Sequence, residues 1–385
     1  MKAYVFTDAS LARHAGRFVW LALDGEKPQN AAVVKQLRIP AYPTLYVMDP
    51  ADQRVALRWV GAPSVSQLHQ LLEDGKTAVT RKGSGLDAIL GRADSLYASG
   101  QDSSAAVAYQ QVLAAAPRDW PAYPRVVDAT LFALSNSDAD QRCAELSLEA
   151  MTRLKGTTSG ANAAVSGLGC ALALPAEHPR RKDWLGLFEA RCREVVGDPS
   201  IMLSTDDRSG IYLTLADARE DAEDDAGRKL VLDECAALLE RGAAAATTPE
   251  QRVVFDSHRL AVYRELGQPE RAVPMLEASQ QDFPDDYNPP ARLALAYRAM
   301  KQYDKALAAS DRALAMAYGP RKLLLYDNRV DILVAQGDSV KARQTLQSAI
   351  RDGEAMPDGQ RSGGRIAGLK KRLSTMGGGA TTDQN

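Results

Sequence analysis

The sequence contains little of what several classes of function require. Its four cysteines are spread over 385 residues, and no two of them form a Cys-x-x-Cys pair. No apolar run approaches the roughly 20 residues that a membrane-spanning helix needs. The formal net charge is −2, with 47 basic and 49 acidic residues, so the charge balance does not indicate nucleic acid as a partner. We therefore predict no paired-dithiol chemistry in the chain as written, no membrane span and no nucleic acid binding.

The isolated cysteines and histidines also argue against a metal or cofactor. Three of the four cysteines stand at helical spacing among apolar neighbours, which predicts buried free thiols rather than disulfides or metal ligands. The four are Cys143, Cys170, Cys192 and Cys235. His14 and His69 have no nucleophile, carboxylate or second histidine at a catalytic spacing, so both are predicted to be ordinary helix histidines. No cofactor and no metal site are predicted.

The first residues lack the charged and apolar regions of a signal peptide. The chain as written is therefore predicted to be cytoplasmic. A periplasmic or exported location is the alternative, if a signal precedes the first methionine.

The amino-terminal part has the patterning of a small α/β domain. Apolar runs of strand length predict strands at residues 18–24, 44–48 and 55–60. Between the first two strands, residues 29–37 are predicted to form a short helix. Ser64 is predicted to cap a closing helix that ends at Gly75.

One motif in this part carries a resemblance. The run Ile39-Pro40-Ala41-Tyr42-Pro43-Thr44 resembles the substrate-facing corner of a thioredoxin. The resemblance implies that Pro43 follows a cis peptide bond and that Tyr42, Pro43 and Thr44 bind an extended peptide. In that family the Cys-x-x-Cys motif lies some forty residues earlier, which here falls at or before Met1. Residues 1–78 are thus expected to form a thioredoxin-like domain that lacks its first strand and its redox motif.

The rest of the chain has helical periodicity and an internal repeat. Small or apolar residues, with a glycine in the turn, recur in the pattern of the tetratricopeptide repeat (TPR). Ala272 and Ala306 lie 34 residues apart, which is the period of that repeat. The matching sets are Ala93, Leu96, Gly100, Ala105, Tyr109, Val112 and Pro117; Leu260, Tyr263, Gly267, Ala272, Leu276, Ser279 and Pro284; Ala294, Tyr297, Ala306, Ser310 and Ala313; and Val330, Leu333, Gly337, Ala342, Leu346 and Ala349.

The predicted fold class is therefore α/β plus all-α, an incomplete thioredoxin-like fold followed by an α-helical TPR-like solenoid. After residues 1–78 we expect a linker at 79–85 and degenerate helical repeats at 86–242. TPR-like repeats are expected at 249–352, and a basic helix with a flexible tail at 363–385.

Two functions remain open from the sequence. The first is a protein-interaction module, a solenoid with a redox-inactive platform that binds a protein or peptide partner. In the TPR pattern Arg264 and Arg298 occupy equivalent groove positions, where they would favour an acidic or polar partner. The second is a thiol–disulfide oxidoreductase of the thioredoxin family, whose Cys-x-x-Cys would lie upstream of Met1. The chain is an enzyme only in that second case.

Overall fold

The computed structural model describes residues 1, 4–37, 39, 41–80, 85–117 and 119–376. Over these residues the protein is mostly helical, with one small sheet. Strands β1 (Thr44–Met48) and β2 (Val55–Val60) form the sheet. The α-helices are, in chain order, α1 (Ala31–Leu37), α2 (Val65–Thr80), α3 (Leu86–Ala98), α4 (Asp102–Ala115), α5 (Tyr123–Ser135), α6 (Asp140–Arg153), α7 (Thr158–Ala173), α8 (Arg181–Gly197), α9 (Thr205–Asp221), α10 (Asp225–Ala245), α11 (Pro249–Arg252), α12 (Asp256–Glu265), α13 (Val273–Asp282), α14 (Asn288–Ala299), α15 (Tyr303–Met316), α16 (Arg321–Gln336), α17 (Ser339–Glu354) and α18 (Gly363–Thr375). Short 3₁₀ helices occupy Ala9–His14, Pro28–Asn30, Val253–Phe255 and Pro269–Ala272.

The chain forms two compact units. Unit 1 consists of Met1–Phe18 and Arg38–Leu239, and unit 2 consists of Val19–Leu37 and Glu240–Asn385. The division differs from the one expected from the sequence, because part of the predicted thioredoxin-like domain packs with the carboxyl-terminal repeats. No described helix is both long and apolar enough to cross a membrane.

The predicted strands β1 and β2 are present with the expected bounds. They pair antiparallel, with Thr44 opposite Val60 and Leu45 opposite Trp59, and the register shifts between Val47 and Met48. Helix α2 covers one face of this pair. Its Leu68, Leu71 and Leu72 form a buried cluster with Val47 and Leu57.

The prediction of a buried strand at residues 18–24 is wrong. This segment belongs to no described strand, and the exposed fractions of Val19, Leu21 and Leu23 are 88%, 78% and 53%. A strand requires a ladder partner, and the described sheet contains only β1 and β2. The described residues show a two-stranded sheet with a helix, and they provide no evidence for the predicted thioredoxin-like fold, even in its incomplete form.

Gly75 does not end the closing helix, which continues to Thr80. A Cβ atom at this position would lie 2.6 Å from the Val47 Cγ2 atom. Glycine is thus required here because α2 passes close to β1, rather than because the helix stops. The predicted linker begins inside this helix, and residues 81–84 of the linker lie outside the described part of the chain.

The helical repeats follow the predicted pattern. Ala272, Ala306 and Ala342 are fully buried, so pairs of helices approach each other closely at these positions. Successive helices pack as hairpins, and α5 also contacts α7, α7 contacts α9, and α14 contacts α16. Contact between every second helix is the packing of a helical solenoid.

The glycine of the repeat pattern occupies a left-handed turn between two helices. Gly100, Gly267 and Gly337 have φ values of 71°, 68° and 87°, a region that favours glycine because it has no Cβ atom. Lys301 stands at the same place in the third set, and its φ of 60° is also left-handed. The left-handed backbone conformation is therefore retained at Lys301, where the repeat lacks its glycine.

The prediction of four free cysteines is wrong for two of them. Cys143 on α6 and Cys170 on α7 form a disulfide, with a Cα–Cα distance of 6.1 Å. The two helices pack as an antiparallel hairpin, which brings together residues 27 positions apart. Cys192 and Cys235 are free and buried, as predicted.

Candidate functional site

Helix α2 contributes polar side chains to two sites in unit 1. While its apolar side packs on the sheet, Gln67 and Asp74 face α5, and His69 and Glu73 face the 3₁₀ helix Ala9–His14. Two polar sites result, a cleft on the α5 side and a histidine pair on the other.

The cleft has a volume of about 200 Å³ and opens between β2, α2 and the first turns of α5 and α7. Proline and tryptophan supply apolar walls, and hydroxyl and amide side chains supply polar ones. The lining residues are Trp59, Ser66, Gln67, Gln70, Leu71, Pro121, Pro124, Arg125, Asp128, Thr157, Thr158 and Ser159.

Asp128 supplies a carboxyl group to the lining of this cleft. Its Oδ2 atom accepts hydrogen bonds from the Ser159 hydroxyl at 2.7 Å and from the Gln67 amide at 3.4 Å, and its Oδ1 atom accepts one from the Asn162 amide at 3.3 Å. Burial raises the pKa of this carboxyl to about 6, against the opposing effect of the three hydrogen bonds. A large fraction of Asp128 is thus charged at neutral pH without an adjacent cation among the described residues.

Arg125 lines the same cleft but is already paired. Its guanidinium donates to both carboxylate oxygens of Asp94, at 2.8 and 3.3 Å, and to Asp74 at 2.9 Å. The Tyr109 hydroxyl also donates to Asp94, at 2.7 Å. Arg125 and Asp94 are only 5% and 2% exposed. This buried network joins α2, α3, α4 and α5, and it leaves the Arg125 charge already balanced.

The histidine pair connects two parts of unit 1. The His14 Nε2 atom lies 2.8 Å from His69 Nδ1, and the His69 Nε2 atom lies 2.9 Å from the Ser10 hydroxyl. That hydroxyl also lies 2.5 Å from an Asp8 carboxylate oxygen, and the His14 Nδ1 atom lies 3.7 Å from Glu73. Sequence reasoning treated both histidines as unaccompanied. This was wrong, because 55 residues separate two side chains that the fold brings into contact.

The rings of His14 and His69 are in direct contact. A positive charge on one ring therefore disfavours a positive charge on the other, and both imidazoles favour the neutral form. Burial lowers the pKa of both His14 and His69. The pKa of His14 is lowered further by His69 and Arg13, and that of His69 by Arg13. Glu73 raises the pKa of His14, and Asp8 raises the pKa of His69. Arg17 lowers the pKa of His14 by the smallest of these effects.

We expect unit 1 to lose stability as the pH falls below about 6.5, the pKa of histidine in an unfolded chain. Because the folded pKa values are lowered, the unfolded state binds more protons in this range. The stabilisation that the histidine pair contributes to unit 1 is therefore complete above about pH 6.5. It disappears as the pH falls toward the pKa values of the two histidines in the folded state. Urea unfolding of the native chain and of a His14→Gln/His69→Gln variant measures it as a difference. Parallel pH profiles for the two proteins would contradict the expectation.

The predicted peptide-binding residues lie together at the start of β1. The Tyr42–Pro43 peptide bond is cis, as the resemblance implied, and the Tyr42 side chain is 56% exposed. The Thr44 hydroxyl donates to the Ala41 carbonyl at 2.6 Å, and the Pro43 carbonyl accepts from Gly61 N–H at 2.9 Å. Pro40 lies outside the described residues.

The two predicted groove arginines differ in their surroundings. Arg264 is exposed near the end of α12. Arg298, on α14, forms an ion pair of 2.5 Å with Asp331 on α16, and Arg372 pairs with the same carboxylate. Arg298 is thus part of an ion cluster.

Unit 2 contains a binding arrangement that the sequence did not suggest. Residues 24–27, which we call the acidic turn, contact residues that precede or begin every second helix, α14, α16 and α18. We call Tyr287, Tyr318, Arg321 and Gln360 the loop edge. The Tyr318 hydroxyl donates to Asp24 at 2.7 Å, and the Tyr287 hydroxyl donates to Glu26 at 2.9 Å.

The loop edge also binds the main chain of the turn. The Gln360 side-chain amide donates to the carbonyls of Gly25 and Lys27, at 2.8 and 2.9 Å, and Arg321 lies 3.4 Å from the Glu26 carboxylate. Gly319, at φ 61°, permits the close approach, since a Cβ atom there would collide with the Glu26 carbonyl oxygen.

The pKa values of the Tyr318 and Tyr287 hydroxyls are raised next to these carboxylates. The hydrogen bond to Asp24 raises the pKa of Tyr318 to about 12. Burial, followed by the hydrogen bond to Glu26, raises the pKa of Tyr287. Both hydroxyls therefore remain protonated donors throughout the neutral range.

A signal for Asp128 was available in the sequence. Asp128 is the one carboxylate in a mostly apolar helix, and such a group must find partners when it is buried. The acidic turn had no comparable signal, because its partners lie 261 to 335 residues away.

Comparison with known proteins agrees with the repeat assignment. Residues 87–119, which contain α3 and α4, match the model of the tetratricopeptide repeat family. No curated protein matches the chain. Residues 87–119 thus resemble a tetratricopeptide repeat, and neither comparison supports a thioredoxin redox function.

Similar solved structures include a tetratricopeptide repeat protein from Parabacteroides merdae, at 12% identity and a TM-score of 0.46, covering 76% of this chain and 99% of that one. BtubC from P. vanneervenii has 15% identity and a TM-score of 0.34, with 73% and 97% covered. The TPR2AB-domain:pHSP90 complex of yeast Sti1 has 13% identity and a TM-score of 0.28, with 75% of this chain and 98% of that one covered.

Proposed function

We propose that this chain is a protein-interaction module whose unit 2 binds an acidic turn of a partner along the loop edge. The observation that carries the proposal is the acidic turn itself. The loop edge recognises two carboxylates and two main-chain carbonyls of a turn, which are features that any Asp-x-Glu turn can supply.

In the isolated chain the acidic turn occupies this surface. A tethered segment has a high effective concentration, so a partner must compete with it. The partner would gain access as the turn dissociates, and its affinity would be reduced by the fraction of the surface already occupied.

Two finer parts of the proposal concern residues recognised in the sequence. Tyr42, Pro43 and Thr44 are proposed to receive an extended peptide beside β1, on what remains of a thioredoxin-like platform. Arg264 and Arg298 are proposed to meet the partner in the solenoid groove, where Arg298 would act together with Asp331.

The alternative, a thioredoxin-family oxidoreductase whose Cys-x-x-Cys lies upstream of Met1, has no support from the comparisons, and the four cysteines of the chain do not take the place of that motif. Burial raises the pKa of Cys192 and of Cys235 to about 12, so neither thiol supplies the thiolate that exchange requires. Cys143 and Cys170 are 0% and 2% exposed, and a substrate disulfide could not reach them. We therefore favour the interaction module.

The proposal predicts that weakening the resident turn exposes a binding surface. A fluorescein-labelled peptide with the sequence of residues 22–31 is expected to bind an Asp24→Ala/Glu26→Ala variant of the full chain at least about tenfold more tightly than the native chain. Adding Tyr318→Phe and Gln360→Ala to that variant should remove the gain. Fluorescence anisotropy measures each affinity.

Lys35→Ala is the matched control. It removes an exposed ion pair with Asp358 near the same surface, and such pairs contribute little, so peptide binding should stay at the native level. Equal affinity of all variants for the peptide, or equal binding of a peptide with Asn and Gln in place of its two acids, would contradict the proposal.

A further inference from the structure

We propose that the cleft around Asp128 in unit 1 binds the alkylammonium group of a lysine side chain from a partner protein. This site is separate from the loop edge, and its test does not depend on the loop edge being functional.

The charge of Asp128 has no counterion within the described residues. Its three hydrogen-bond donors, Ser159, Asn162 and Gln67, are neutral, and two of those contacts are longer than 3.2 Å. An ionised carboxylate offers about four acceptor positions, so it has capacity for a further donor. Arg125 cannot serve, because Asp94 and Asp74 already hold its guanidinium.

Asp128 is partly buried, and a carboxylate that is partly removed from water without a cation is costly to maintain. The raised pKa of Asp128, about 6, reflects that cost. A ligand that brings a positive charge into the cleft would offset this desolvation cost, and the offset would add to its binding energy.

The dimensions and walls of the cleft suit one long, narrow side chain. A volume of about 200 Å³ is below the range of about 300–1,000 Å³ typical of whole small-molecule ligands. Trp59, Pro121 and Pro124 provide apolar surface for a methylene stem, as lysine stems commonly require. Thr158 and Ser159 also line the cleft, and their hydroxyl oxygens can accept ammonium hydrogen bonds.

An anion is the competing occupant, since α5 and α7 both begin at the cleft. Helix amino termini favour negative charge. However, an anion would lie beside the Asp128 carboxylate, and the arginine that lines the cleft is already neutralised. The charge that is present therefore favours a cation.

The test is a titration of the ¹⁵N-labelled full chain, observed by NMR at about pH 7.5, well above the pKa of Asp128. The probes are n-butylammonium chloride and N-acetyl-lysine-N-methylamide, with n-butanol as the neutral isostere and sodium phosphate as the anion. Saturable shifts are expected at the Trp59 indole and at the Gln67 and Asn162 amides with both amines. They are not expected with butanol or phosphate.

The variant Asp128→Asn keeps the shape of the side chain and should weaken both amines by at least about tenfold. Asp119→Asn is the control, because it removes the same charge from an exposed residue that does not line the cleft. Binding to the native chain should also weaken at about pH 5, where Asp128 is mostly protonated.

Several outcomes would overturn the inference. These are binding of neither amine, equal shifts with butanol or phosphate, and unchanged affinity in Asp128→Asn. Binding of n-butylammonium without N-acetyl-lysine-N-methylamide would overturn the assignment to a protein side chain and indicate a free amine instead. Thermal unfolding of each variant confirms that it is folded before the titration.

Discussion

Replacing Arg125 with methionine is expected to lower the free energy of unfolding of unit 1 by about 3–5 kcal/mol, the usual cost of removing one partner from a buried ion pair. Methionine fills much of the arginine volume, so the loss comes mainly from charge. Asp94 would keep only the Tyr109 hydroxyl bond at 2.7 Å, and its carboxylate would remain buried without a cation.

Urea unfolding followed by circular dichroism measures this loss. Arg54→Met is the matched control in the same unit. Arg54 is 46% exposed, and its ion pairs with Asp49 and Asp52 are 3.6 and 3.8 Å long, so its loss should cost less than about 1 kcal/mol. Similar midpoints for the two variants would show that the Arg125 network contributes no more than a surface pair.

Removing the Cys143–Cys170 disulfide is expected to destabilise the chain by about 2–4 kcal/mol. The bond closes a loop with a sequence separation of 27, and its loss increases the conformational freedom of the unfolded state. Treatment with a reductant after partial unfolding, or the Cys143→Ser/Cys170→Ser variant, should lower the urea midpoint. A Cys192→Ala/Cys235→Ala variant should still respond to reductant, because it retains the disulfide.

Thiol counting provides an independent measurement. Alkylation in denaturant without reductant should modify two cysteines of the native chain, and alkylation after reduction should modify four, given the one disulfide and two free thiols. Four modified cysteines without reductant would contradict the disulfide assignment directly.

Local patterns predicted much of the fold, because they report on interactions between near neighbours. The strands Thr44–Met48 and Val55–Val60 were predicted correctly, since a short connection lets each serve as the other's partner. The same kind of apolar run at residues 18–24 was misassigned. Hydrophobicity indicates that a segment can form a strand, but it does not indicate whether a partner strand is present.

The candidate sites were less predictable for the same physical reason. The repeat alanines follow from helix spacing, whereas the contact of His14 with His69 depends on how α2 folds back over the 3₁₀ helix. Likewise, the Cys143–Cys170 pair depends on the register of two packed helices. Such contacts follow from tertiary structure and not from local spacing.

The long-range docking of the acidic turn has a consequence for the folding kinetics of unit 2. A solenoid built only from neighbouring repeats can nucleate at any point and grow. Here the hydrogen bonds to Tyr287, Tyr318 and Gln360 span 261, 294 and 335 residues. Contacts of that separation carry a large loop-closure entropy and form late. During synthesis the acidic turn leaves the ribosome long before its loop edge exists, so unit 2 reaches its final structure only when the last helices have been made.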